Sequence, residues 1–80
     1  MSKRVELFTR AGCHLCDDAK AVLERVRAEV PFELALVDVD GDPVLADRYG
    51  LEVPVVVVEG RKHAKYTVDE AAFRRRMEER

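Results

Sequence analysis

The chain predicts an α/β fold in the order β-α-β-α-β-β-α: a mixed four-stranded sheet with three helices on its two faces. Three observations carry that expectation. Apolar, strand-like runs at residues 5–8, 32–39 and 55–58 alternate with stretches of helical period. A glycine in Glu59-Gly60 can turn a hairpin after the third run. The pair Asp42-Pro43 marks a helix start between the second and third runs, with Asp42 as cap and Pro43 at the first helical position. Eighty residues make one domain, spanning positions 1–80. A chain of that size buries only about two-thirds of its unfolded surface.

Taken in order, residues 3–9 form the first strand and residues 10–12 a turn. Residues 17–27 read as a helix. Leu15, Ala19, Val22, Leu23, Val26 and Val30 form its inward face, and Pro31 stops it. The second strand, residues 32–39, is almost wholly apolar, as expected of a strand covered on both faces. The short second helix turns Val44, Leu45 and Tyr49 inward and ends at Gly50. Residues 55–58 are four consecutive valines, and residues 63–66 carry polar side chains that suit an edge strand. Thr67 is expected to cap the last helix, with Glu70 reaching back to it. Ala72, Phe73 and Met77, with the Arg76 stem, line that helix to an end near Arg80. Helices join the first three strands, so these are expected to run parallel with right-handed crossovers.

Composition excludes several functions. With 14 basic and 16 acidic residues and a formal net charge of -2, the chain lacks the basic excess of a general nucleic-acid binder. The longest apolar run, residues 53–58, is too short to span a bilayer. The charged residues that follow Met1 do not form a signal peptide, so the cytosol is the expected compartment. There a CxxC pair is redox-active or metal-binding more often than it is a permanent staple.

The only two cysteines are Cys13 and Cys16, at the corner where the first strand hands over to the first helix. Free cysteine titrates at about 8.5, so only about 3% is thiolate at neutral pH. Lowering the value to ~6.5 ionises about three-quarters, a change of about 2.7 kcal/mol. A helix N-terminus supplies unpaired N–H groups and the positive end of a dipole. Cys13 is therefore assigned as the attacking thiol, and Cys16, one turn further in, as the resolving one. Arg10 and a protonated His14 favour a thiolate at Cys13, while Asp17 and Asp18 oppose it and serve as first-turn acids. For His14, tuning of the thiol and plain surface exposure weigh equally. Metal is not expected, because a structural zinc site needs four ligands and the histidines are only His14 and the distant His63.

On these motifs the chain resembles the thioredoxin-like superfamily, and within it the small glutaredoxin-like proteins. The marks are the strand-turn-CxxC-helix unit, Val53-Pro54 opening an apolar strand, and residues 66–69 before the last helix. Asp42-Pro43 and Arg48-Tyr49-Gly50 are similar to an uncharacterised glutaredoxin-like group. The resemblance implies a cis Val53–Pro54 bond and a Val53 backbone that pairs with an incoming peptide or thiol. It implies that Arg10 holds a glutathione carboxylate and that Asp69 fills an acidic place beside the substrate. Thr67 and Tyr66 stand where glutaredoxins carry a glycine pair, Glu52 where they carry threonine, and His14-Leu15 where they carry proline-tyrosine. The implied substrate-binding set is thus Arg10, His14, Val53, Pro54, Thr67 and Asp69. The implied activity is that of a monomeric dithiol–disulfide oxidoreductase without bound cofactor. Its partners would be a disulfide-containing protein or small-molecule disulfide, and a reductase or glutathione as reductant, with no nucleic acid and no membrane. The alternatives on the same fold are a metal or iron–sulfur binding module and a redox-controlled interaction domain.

Overall fold

A computed structural model describes residues 3–79. The elements are β1 (Arg4–Thr9), α1 (His14–Glu29), β2 (Glu33–Asp38), a 3₁₀ turn (Val39–Gly41), α2 (Pro43–Tyr49), β3 (Val55–Val58), β4 (Arg61–Lys65) and α3 (Glu70–Glu78). The sheet order is β2-β1-β3-β4. β1 pairs in parallel with β2 and antiparallel with β3, which pairs antiparallel with β4.

The antiparallel β3 corrects the expectation of three parallel strands, and helix length explains it. The 16 residues of α1 span about 24 Å, enough to return the chain along a six-residue strand of about 20 Å. The seven residues of α2 span only about 10 Å, roughly two inter-strand spacings. α2 therefore carries the chain over β1 and delivers it to β3 at the end of the sheet where β2 finished. A second correction concerns β2, which is an edge strand rather than one covered on both faces. With no neighbour on its outer side, Leu36 is 50% exposed.

β3 is the common wall of two cores. Its alternate side chains point to opposite faces, and all four valines are buried. Each contributes about 1.5–3 kcal/mol relative to exposure. On one face Val56 and Val58, with Val5 and Leu7 of β1, meet Ala19, Leu23 and Val26 of α1 and Phe73 and Met77 of α3. Phe32 meets Phe73 edge-on, with ring centroids 5.5 Å apart. On the other face Val55 and Val57 pack with Phe8, Val39 and Tyr49, and the Phe8 and Tyr49 rings lie 4.5 Å apart.

Capping defines the ends. Asp42 caps α2 by accepting the Val44 N–H at 2.9 Å, with Pro43 in the first position. Glu59 and Gly60 turn the hairpin with φ of 51° and 81°, both left-handed. At α3 the cap is Asp69, not Thr67. Its carboxylate accepts the Ala72 N–H at 3.1 Å, a stronger acceptor than a hydroxyl. Glu70 does not reach back and instead meets Arg25 of α1 at 2.8 Å. Arg80, where α3 was expected to end, lies outside the described residues. Two helical side chains expected to point inward face away from the core. Leu15 is 47% exposed because Cys16, 100° further round α1, takes the inward place. Val44 is 71% exposed, since α2 turns Tyr49 inward and leaves Leu45 half-buried. Among the described residues, no helix is long and apolar enough to cross a membrane.

His63 of β4 sits edge-on to Phe73, with ring centroids 5.7 Å apart. Burial holds its pKa below the ordinary imidazole value, and the Arg76 charge adds to this while Glu79 acts the other way. The unfolded chain therefore takes up this proton first as pH falls. The associated stability is complete above about pH 6.5 and declines as pH drops toward the lowered native value. Thermal unfolding should show a melting temperature that falls between pH 7 and pH 5, and His63→Phe should flatten that decline.

Candidate active site at the head of α1

β1 delivers the chain to a tight turn in which Gly12 has a φ of 76°, a left-handed conformation that suits glycine. Cys13 follows as the N-cap of α1, with extended backbone. Its Sγ accepts the Cys16 N–H at 3.1 Å, so sulfur occupies the place of a serine or aspartate capping oxygen. Because Cys13 caps it, α1 begins three residues before the expected start at residue 17. Cys13 and Cys16 are joined by a disulfide across a Cα–Cα distance of 5.2 Å. Cys13 is half-buried, while Cys16, on the inward stripe of α1, is 4% exposed. A group arriving from solvent thus meets Cys13 first.

Arg10 lies in the turn and lines a hollow of about 270 Å³ together with both cysteines, Lys20, Leu36 and Asp38. Its guanidinium is already engaged. Nε and Nη2 donate to the Asp40 carboxylate at 3.0–3.2 Å, and Nη1 donates to the Gly50 carbonyl at 3.0 Å. A Cβ at position 50 would strike the Ala46 carbonyl and lie 2.8 Å from Arg10 Nη2, so glycine leaves room for this clasp. His14 is the first residue of α1 and is exposed.

The remaining residues of the expected set gather at the start of β3 and the approach to α3. The Val53–Pro54 peptide bond is cis. Pro54 is buried, and Val53 packs at the margin of the Phe8–Tyr49 core. The Tyr66 N–H donates to the Pro54 carbonyl at 2.8 Å and to that of Glu52 at 3.2 Å. Among the described residues, Val53 makes no backbone hydrogen bond. Thr67 is exposed and borders a second, smaller hollow with Leu15 and Tyr66, whereas Asp69 is engaged as the α3 cap. Arg10 therefore shares a hollow with the cysteines, and Thr67 shares one with Leu15. His14, Val53, Pro54 and Asp69 line neither.

Glu52 is held below the usual carboxylate range by its hydrogen bond from Lys62 at 3.0 Å, with Lys65 also close. Sequence reasoning missed Asp40, Lys20 and Leu36. Asp40 is 30 positions from Arg10, and no local pattern ties them. Lys20 carries a signal, four residues beyond Cys16 and so one turn along the helix. Among the described residues, no group of three or more His, Cys, Asp or Glu is placed to hold a metal ion.

Comparison with known proteins fits this geometry. The family model described as Glutaredoxin-like domain (DUF836) matches residues 4–78. An uncharacterized protein of Mycobacterium tuberculosis is 38% identical over 76 residues, covering 89% of this chain and 78% of its own length. A thioredoxin of Methanocaldococcus jannaschii is 41% identical over 64 residues, 75% of either chain. The solution structure of a Nitrosomonas europaea protein superposes with a TM-score of 0.83 at 26% identity, covering 96% of this chain and 93% of that one. The mixed sheet and three helices are the thioredoxin-like arrangement.

The burial difference between the two sulfurs predicts their order of modification. After reduction, iodoacetamide should alkylate Cys13 well before Cys16. Peptide mass spectrometry of samples quenched over time reads this directly.

Proposed function

This chain belongs to the glutaredoxin-like domain family (DUF836), and on that premise we propose that it is a dithiol–disulfide oxidoreductase. One observation carries the reading: Cys13 Sγ stands at the head of α1 with the Cys16 N–H directed at it and the Cys16 sulfur within bonding reach. A donor aimed at sulfur favours the thiolate over the thiol, and the thiolate is the nucleophile. The thioredoxin of M. jannaschii, 41% identical, supports the same chemistry.

In the reduced protein the Cys13 thiolate attacks one sulfur of a substrate disulfide. A mixed disulfide forms, and the other substrate sulfur leaves as a thiolate that takes up a proton. Cys16 gives up its proton and attacks Cys13 Sγ, which releases the second substrate thiol and closes the Cys13–Cys16 disulfide. Two electrons pass from the protein to the substrate. A thiol reductant, glutathione or a reductase, returns them and reopens the disulfide, with no bound cofactor.

The other residues position the substrate. The unpaired Val53 backbone receives an extended segment as an added strand, and Pro54 packs beneath it. Thr67 borders the approach, Asp69 fixes the start of α3, and His14 flanks Cys13 at the surface. Arg10 acts through its clasp on Asp40 and Gly50, holding the turn that carries Cys13.

Two single substitutions test the order of events. Cys13→Ser should reduce disulfide reduction to the uncatalysed background. Cys16→Ser should leave the first attack intact and accumulate a covalent adduct of one protein and one substrate half, released by dithiothreitol and visible by intact mass. Full activity of Cys13→Ser would overturn the assignment.

A further inference from the structure

The surfaces on the two sides of the disulfide differ in chemistry. On the β2 side the hollow contains two cations, Arg10 and Lys20, and two acids, Asp17 and Asp38. Arg10 is moreover neutralised by its pairing with Asp40. Little net positive field is left there to hold an anionic substrate.

On the α3 side, Leu15, Ala19 and Val22 of α1 face Tyr66 and Val68 across a hollow of about 100 Å³, with Asp18 on its wall. That volume is well below the 300–1,000 Å³ of small-molecule pockets and suits a single side chain. Leu15 lies between the two cysteines in sequence and Tyr66 is 46% exposed, so apolar surface stays open beside the reactive pair. Among the described residues neither Asp17 nor Asp18 takes part in an ion pair. The apolar walls beside the unpaired Asp18 are complemented by an aliphatic side chain next to a cation. In an extended segment, residues on one face recur every ~7 Å, so such a neighbour stays close to the reacting cysteine.

We propose that the substrate of this site is a polypeptide disulfide whose reacting cysteine is flanked by an aliphatic residue and by a lysine or arginine. The proposal rests on the oxidoreductase reading. The aliphatic side chain enters the hollow between Leu15 and Tyr66, the cation meets Asp18, and the peptide backbone lies along Val53. Glutathione, small and anionic, matches neither feature.

The test uses the full-length protein, reduced with dithiothreitol and desalted. It is mixed in a stopped-flow with short cysteine peptides blocked as mixed disulfides with thionitrobenzoate. One peptide carries leucine and lysine beside the cysteine, a second replaces leucine by glycine, and a third replaces lysine by glutamate. Each event oxidises Cys13 and Cys16 to the disulfide and yields one peptide thiol and one thionitrobenzoate, whose colour reports the rate. The first peptide should react about tenfold faster than either of the others, equivalent to about 1.4 kcal/mol. Asp18→Lys should reverse the order of the lysine and glutamate peptides. Hydroxyethyl disulfide, neutral and small, reports on the exchange chemistry itself. If it is reduced while the three peptides agree within about twofold, or if glutathione disulfide outpaces all of them, the substrate proposal is overturned and the oxidoreductase reading stands. If neither hydroxyethyl disulfide nor any peptide is reduced, both fail.

Discussion

The hydrogen bond from the Cys16 N–H to Cys13 Sγ ties chemistry to architecture. It is a helix cap, and it exists only because β1 stops at Thr9, the chain reverses through the left-handed Gly12, and α1 begins at His14. The same helix that needs the cap also covers the sheet. The stripe that buries Ala19, Leu23 and Val26 against β1 and β3 begins with Cys16. Packing of α1 thus decides which sulfur is sheltered, and capping decides which one faces outward. A change in the register of α1 would alter both together.

Charge on this surface is organised in the same way. Arg25 joins α1 to Glu70 of α3, Arg74 of α3 meets Glu29 of α1, and Lys62 meets Glu52 beside the cis proline. Solvent screens pairs this exposed, so they add little to the stability of the fold. Near the disulfide, Arg10 and Lys62 are committed, while among the described residues Lys20, Asp17 and Asp18 take part in no ion pair.

The corner at Cys13 is legible in the amino-acid sequence because every determinant is local: an apolar run, a glycine turn, two sulfurs and a helical stripe within about two dozen residues. The Asp42-Pro43 cap and the Glu59-Gly60 hairpin are legible for the same reason. The direction of β3 is not. It depends on how far seven residues of α2 can carry the chain, which composition does not express. An apolar pattern shows that β2 belongs in the sheet but not that it lies at the edge, so the exposure of Leu36 is invisible until the strand order is known. Thr67 reads as the cap of α3 because a glutamate follows three residues on, and that local pattern does not show that the Asp69 carboxylate reaches the Ala72 N–H instead. The Arg10–Asp40–Gly50 clasp joins three separate segments and leaves no trace in any one of them.

The placement of β3 between two cores bears on how the molecule opens. Val55 and Val57 serve one core, Val56 and Val58 the other, on a single strand only four residues long. Loss of β3 would remove the wall of both cores at once. Amide exchange in β1 and β3 should therefore report one shared, global opening rather than two separate ones. Neither cysteine belongs to either cluster, and Cys13 is half-buried at the head of α1, so an incoming thiol can meet it with both cores closed.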